Sequence, residues 1–325
     1  MFFKGNIDTI LSCCIIIASH ISSEKRINYL IECLKSLLNQ TVIVPIYLSI
    51  SFETEELNQY FMNVFLQLEN ICNIVVLYIQ PTKTAQMRHI LSLYPLVSRR
   101  YNWVMFSDDD DSYLPSRVEN FIANIDHILQ RKIAEQTNRE FAGLYENQIN
   151  QEHSQRRHEY WCYCVRTHLL GKFLKTVQEY PEVLDNKCCD VFFAEFLRRL
   201  DPTKYMFGYL TDKYYNYRTE DNADSVTGII QSGQKTVRTA RIVTPENRQQ
   251  CIDELNSYLT EHLTIYLNDF YLYSVVGVDF DSILQREFKT EYCILSEINP
   301  IFIEELRTLH EKLLKIANII YDIPV

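Results

Sequence analysis

The chain has 325 residues, a formal net charge of -10 and 47% hydrophobic residues, enough for a sizeable core in one large domain or in a domain with an extension. Its 42 acids against 32 bases exclude a nucleic-acid binder acting through a broad basic surface, yet allow a phosphate-bearing ligand neutralised locally by a metal. Ten cysteines, with adjacent pairs at Cys13-Cys14 and Cys188-Cys189 but no pair of CxxC knuckles, read as mostly buried free thiols in a reducing compartment, not as a zinc module or disulfide scaffold.

From the amino end, Ser12 to Ser19 (SCCIIIAS) is a short apolar run, as in a buried parallel strand, and too short to span a bilayer. Arg26 to Leu38 carries Ile27, Leu30, Ile31, Leu34, Leu37 and Leu38 at helical spacing. The pattern then predicts a strand over Val44 to Ile50, a helix over Glu55 to Leu68, a strand over Ile74 to Ile79, a helix over Thr84 to Val97 and a strand over Trp103 to Phe106. Strand and helix in alternation imply an α/β fold, a mostly parallel sheet flanked by helices, with ligands held outside the carboxyl ends of the strands.

Further on, Phe141 to Tyr145 and Tyr160 to Val165 read as strands, and the polar stretch from Asn138 to His158 predicts a loop. Val191 to Leu200 reads as a helix and Lys213 to Tyr217 as an aromatic strand. After about Gly233 the character turns helical. Thr244-Pro245-Glu246 and Asn299-Pro300 are helix starts, and Phe302, Leu306, Leu309, Leu313, Ile316 and Ile320 follow at helical spacing. The expected division is 1–232 for the α/β domain and 233–325 for a helical extension, which packs on its own domain or forms a dimer surface. A soluble, cytoplasmic protein is expected. The low Gly and high Ile, Asn and Tyr content points to an AT-rich coding genome, such as those of some bacteria and large DNA viruses.

The chemistry concentrates at Asp108-Asp109-Asp110-Asp111, directly after the fourth apolar strand and before Ser112-Tyr113-Leu114-Pro115. Adjacent carboxylates repel. On a surface loop they are simply solvated, but at a strand end they call for a positive partner, and hard divalent ions accept carboxylate and phosphate oxygens together. The run lacks the alternating ligands and central Gly of a calcium loop.

Several segments in order resemble family 2 glycosyltransferases, which have the GT-A fold. IIIASHISSEKRINYLIECLKSLLNQT resembles the family's first strand and helix, with Ser36, Gln40 and Thr41 at its characteristic ending. KTAQMRHI is similar to an Ala-Arg-Asn stretch, with Arg88 at the Arg and His89 at the Asn. FSDDDDSYLPSRV resembles Phe-Leu-Asp-x-Asp-Asp followed by Pro. NKCCDVFFAEFLRRL is similar to a Glu-Asp motif near the acceptor, with Cys189 at the Glu and Asp190 at the Asp. YYNYRTEDNADSV is similar to a Tyr-Arg-x-His…Ser tail, with Tyr217, Arg218, Glu220 and Ser225 at those places.

The resemblance implies an inverting sugar transfer from a nucleotide-sugar donor, with a UDP-sugar first among the candidates, to a glycan or other hydroxyl acceptor. It implies a Mn2+ or Mg2+ cofactor held by the DxD acids Asp110 and Asp108, and nucleotide-sugar contacts from Ser19, Arg88, Asp108, Asp109 and Arg218. Asp190 would be the base, or merely a helix cap. The family's second strand ends in Asp-Asp-Gly-Ser, where this chain has LSISFETEE, so Ser49, Ser51 or Glu53 stands in for the base-reading acid. No nucleic-acid partner is expected; a peripheral membrane contact and a homodimer through the C-terminal helices stay open. Tyr160 and Trp161 read as core, with acceptor stacking as the alternative, and His20 as a strand-end or loop residue. Glu220 and Asp224 read as lid or solvated loop charges, and the spacing of His153 and His158 is a poor metal signal. Two other classes compete: a non-catalytic GT-A-like module that binds a sugar or protein, and a nucleotidyltransferase. The second lacks its Gly-rich phosphate loop, since no Gly lies between Gly5 and Gly143.

Overall fold

The computed structural model describes residues 12–135, 137–147, 159–218, 241–261 and 263–321. The chain divides into two compact units, Met1–Thr219 and Glu220–Val325. The expected boundary at 232/233 lies outside the described residues.

The first unit opens with β1 (Cys13–Ile21), whose apolar residues are buried on both faces, as a central parallel strand requires. Ser23 caps α1 (Glu24–Leu38) by accepting the Arg26 N–H at 3.4 Å. Next come β2 (Ile46–Phe52), α2 (Glu55–Phe65, capped by Thr54), the single turn α3 (Ile71–Ile74), β3 (Val75–Ile79), α4 (Gln86–Val97) and β4 (Trp103–Ser107). After the acid run lie β5 (Ser112–Tyr113), α5 (Arg117–Glu135) and β6 (Glu140–Glu146). The remainder is a 3₁₀ turn (Tyr160–Cys162), β7 (Tyr163–Arg166), α6 (Thr167–Val177), the short α7 (Pro181–Leu184), α8 (Cys189–Arg198), β8 (Tyr205–Leu210) and β9 (Tyr215–Asn216).

Seven strands form one sheet in the order β3-β2-β1-β4-β7-β6-β8, and β5 pairs with β9 in a small antiparallel ribbon. The sheet is parallel except for β7, which runs against both β4 and β6. The fold is therefore α/β and Rossmann-like, as the alternating pattern predicts. Two consequences of register position the site. Ile17 of β1 faces Ser107 of β4, so continuing both strands by two residues brings Ser19 beside Asp109. Because β7 is antiparallel, the residues preceding it arrive at the carboxyl end of β4, and the 3₁₀ turn places Tyr160 there.

Several expectations need correction. The strand predicted over Tyr160 to Val165 is a 3₁₀ turn followed by four strand residues. The strand predicted over Lys213 to Tyr217 shrinks to Tyr215–Asn216, because only those residues pair with β5. Helix α5 has no counterpart among the predicted elements, although Val118, Phe121 and Ile125 recur at helical spacing and are buried. Helix α6 was likewise not anticipated.

In the second unit α9 (Arg248–Glu261), α10 (Leu263–Val275), α11 (Phe280–Phe288), a 3₁₀ segment (Lys289–Ile294), α12 (Leu295–Ile298) and α13 (Pro300–Tyr321) follow one another. They enclose a core of their own that includes Cys251, Leu255, Phe270, Ile283, Leu295 and Leu306. The start expected at Thr244 is displaced to Arg248: Asn247 Oδ1 accepts the Thr244 N–H at 2.8 Å and holds a turn there first. The start at Pro300 is where α13 begins. No helix among the described residues is long and apolar enough to cross a membrane.

Candidate active site

The acid run leaves β4 at the carboxyl edge of the sheet, with Asp109, Asp110 and Asp111 buried and Asp108 partly exposed. Each acid has its own surroundings. Asp108 Oδ1 accepts from the Tyr160 hydroxyl and, at 3.2 Å, from Gln86 of α4. The Asp108 N–H donates to the Tyr215 hydroxyl at 2.9 Å. Ser19 Oγ donates to Asp109 Oδ2 at 2.5 Å. Arg26, in the first turns of α1, spans Asp109 Oδ1 and Asp110 Oδ2 with its two terminal nitrogens. Asp111 Oδ1 accepts the Arg218 N–H at 2.7 Å, and the Arg218 side chain donates to the Asp110 carbonyl at 2.7 Å.

Burial and mutual repulsion act together on these acids. Desolvation, followed by the charges of Asp111 and Asp110, holds Asp108 well above the usual carboxylate range. Desolvation raises Asp109 to about 6 even though Arg26 pulls it down, and raises Asp111 to about 7, with the Asp110 charge adding to the effect. The Arg26 guanidinium is the positive partner that Asp109 and Asp110 share.

Asp190 lies in the first turn of α8, one residue past its first position, while Cys188 occupies the cap; the helix-cap alternative for Asp190 therefore falls. Its charge acts on both Asp108 and Tyr160, so it belongs to the same neighbourhood. The Arg88 guanidinium forks onto the Asp185 carboxylate, with Nη2 2.7 Å from Oδ2. The Arg218 guanidinium packs over the Tyr29 ring at 4.2 Å and pairs with Glu32. Tyr217 packs on Trp161 at 5.8 Å. Glu220, Asp224, Ser225, His153 and His158 lie outside the described residues.

The motif ending of α1 is a structural clamp. Gln40 donates to the Leu114 carbonyl at 2.9 Å and accepts from the Val118 N–H at 3.1 Å, the Thr41 N–H donates to the Pro115 carbonyl at 2.8 Å, and Ser36 Oγ accepts the Tyr113 N–H at 3.1 Å. These bonds fix the chain leaving the acid run. Trp161 and Tyr160 are buried, as their core reading requires, and Trp161 stacks on Tyr215 at 4.1 Å. Tyr160 adds the hydroxyl on Asp108.

At the end of β2, Ser49 and Ser51 are fully buried and flank His89, whose ring nitrogens lie 2.8 and 3.3 Å from their hydroxyls. Desolvation, then the His20 charge, lowers His89 to about 4, so it is neutral at physiological pH. Glu53 is exposed and meets His20 at 2.9 Å and Lys83 at 3.2 Å. Of Ser49, Ser51 and Glu53, only Glu53 is exposed.

Arg26, Gln86 and the pair Arg117–Glu146 are absent from the sequence-based site. Arg117 is fully buried: Nε donates to Glu146 Oε1 at 2.6 Å, Nη2 donates to the Trp161 carbonyl at 2.6 Å, and the guanidinium packs over Tyr113 at 4.0 Å and Tyr215 at 4.9 Å. Glu146 Oε2 in turn accepts the Tyr214 N–H at 2.6 Å. The available signal for Arg26 was its place in the first turns of the helix after β1, which borders the crevice at the strand ends.

No family model and no curated protein matches the chain. Among solved structures, Staphylococcus aureus TarS is 14% identical with a TM-score of 0.45, over 95% of this chain and 54% of that one, so the chain spans about half its length. Residues 1–349 of TarS in complex with UDP are 14% identical with a TM-score of 0.43, over 93% and 91% of the two chains. A mannosyltransferase from Pyrobaculum calidifontis, in complex with GDP-Man and Mn2+, is 12% identical with a TM-score of 0.42, over 96% and 88%. Likeness at this level assigns no activity to the chain.

Proposed function

We propose that the chain is an inverting, metal-dependent glycosyltransferase of family 2 type, with the GT-A fold, moving a sugar from a nucleoside-diphosphate sugar to a hydroxyl acceptor on a glycan. The burial of adjacent carboxylates at the carboxyl end of β4, beside Ser19, Tyr160 and Asp190, carries this proposal. The oxygen-only donor set suits a hard ion such as Mn2+ or Mg2+. Among the described residues no group of three or more His, Cys, Asp and Glu side chains gathers to hold an ion. Asp110, with Asp108, would then be its protein ligands, the donor diphosphate and water completing the shell. When bound, the ion supplies charge compensation for the leaving diphosphate.

The chain's own residues do the rest. Ser19 and Asp109 border the nucleotide side, and Glu53 with His20 faces the base. Tyr160 and Gln86 hold Asp108 in one orientation. Asp190 takes the proton of the acceptor hydroxyl as general base.

The test is a donor screen by thermal shift with Mn2+ present, using UDP-, GDP-, CMP- and dTDP-sugars, followed by turnover of the stabilising donor. Stabilisation and slow hydrolysis with one nucleotide class support the assignment. No shift with any class, and no turnover, rejects it.

A further inference from the structure

Arg26 sits where a bound ion has to compete. Nη1 donates to Asp110 Oδ2 at 3.0 Å and Nη2 donates to Asp109 Oδ1, so one guanidinium bridges the two central acids of the run. The contact is sheltered: the Arg26 side chain is 12% exposed and the Asp110 side chain 10%. Its backbone is fixed by the helix cap at Ser23, and Asp109 is held on its other oxygen by Ser19. The bridge is therefore braced from both ends, unlike a surface ion pair. Desolvation disfavours the charged guanidinium, but Asp109 and Asp110 more than offset it, so Arg26 remains a full cation here.

A guanidinium and a divalent ion cannot both hold Asp110 Oδ2 without close like-charge contact at a site largely screened from water. We propose that Arg26 is an internal competitor for the cation. It neutralises Asp109 and Asp110 in the ion-free chain and yields Asp110 when a divalent ion binds, so ion affinity is set partly by the cost of moving one side chain. This rests on Asp110 being the cation ligand of the proposed function. It makes ion binding a switch between two counter-ions of one acid pair.

The test uses Mn2+ alone, with no nucleotide, titrated calorimetrically into the full chain as wild type, Arg26→Gln and Arg26→Lys. Arg26→Gln is expected to bind Mn2+ about tenfold tighter, within the usual range of coupling between two sites. Arg26→Lys, a point charge without the planar fork, falls between the two. If Arg26→Gln is unstable without the ion, it is prepared in Mn2+ and its affinity is read by chelator competition. Equal affinity, weaker affinity or no binding in Arg26→Gln overturns the proposal. Tighter Mn2+ binding without any donor turnover removes the glycosyltransferase assignment and leaves the competitor. Donor turnover with an unchanged Mn2+ affinity in Arg26→Gln does the reverse.

Discussion

The hydroxyl of Tyr160 donates to Oδ1 of Asp108, the oxygen that Gln86 also reaches at 3.2 Å. Three elements thus converge on one carboxylate: the end of β4, the turn before β7 and the start of α4. Tyr160→Phe keeps the ring in its packing against Phe106 at 5.4 Å and removes only the donor. It is expected to destabilise the fold by about 0.5–1.5 kcal/mol, because one hydrogen bond to the half-buried Asp108 carboxyl is lost while Gln86 still reaches the same oxygen. Urea unfolding measures this, and a loss near zero means that the hydroxyl does not hold Asp108.

The two acids with separate assigned roles separate experimentally. Asp110→Ala is expected to abolish the Mn2+-dependent part of nucleoside-diphosphate binding in calorimetry. Asp190→Asn is expected to leave donor affinity within about twofold while transfer falls by roughly 10²–10⁴-fold, the usual worth of a general base. Full transfer activity in Asp190→Asn removes it from the catalytic role, and unchanged binding in Asp110→Ala removes the ion from that carboxylate.

Arg117 and Glu146 form an ion pair with no exposed side-chain surface. Burial raises Glu146 above its usual range even though the Arg117 charge, and after it the hydrogen bonds from Tyr214 and Arg117, pull it down, so desolvation outweighs what the pair recovers. Arg117→Met strands Glu146 and is expected to cost about 3–5 kcal/mol. The double variant Arg117→Met with Glu146→Leu is expected to recover part of that. Chemical denaturation of wild type, Arg117→Met, Glu146→Leu and the double variant decides it; a double variant as unstable as the sum of its single changes shows that the two side chains are not coupled.

The pH dependence follows from His89. Its pKa is depressed in the folded chain to about 4 from an ordinary 6.5. Between those values the unfolded chain binds the extra proton and the folded chain does not. Stability is therefore complete above about pH 6.5 and falls as the pH drops toward 4, by up to about 3 kcal/mol. In His89→Asn this contribution disappears. Melting temperatures at pH 7 and pH 5 are expected to differ more for wild type than for the variant, and equal differences exclude His89 as the source.

Much of the first unit was legible because its signals are local. Buried apolar runs such as Cys13 to Ala18, and helical spacing such as Ile27, Leu30, Leu34 and Leu37, arise from period and burial alone. Boundaries moved where pairing decided them, as at Tyr160–Cys162. The acid run was legible because carboxylates after an apolar strand stand out. Arg26 and Tyr160 were not, since single Arg and Tyr residues are common and their partners lie 84 and 52 positions away.

The sequence by itself determined the alternation of strands and helices and the place of Asp108 to Asp111 at a strand end. Only the tertiary structure decided which groups meet those acids. Parallel register between β1 and β4 delivers Ser19, the reversed β7 delivers Tyr160, and α1 delivers Arg26. Direction and register of strands are set by pairings between distant segments, which no local pattern encodes, and here they distinguish an acidic loop from a neutralised, ordered site.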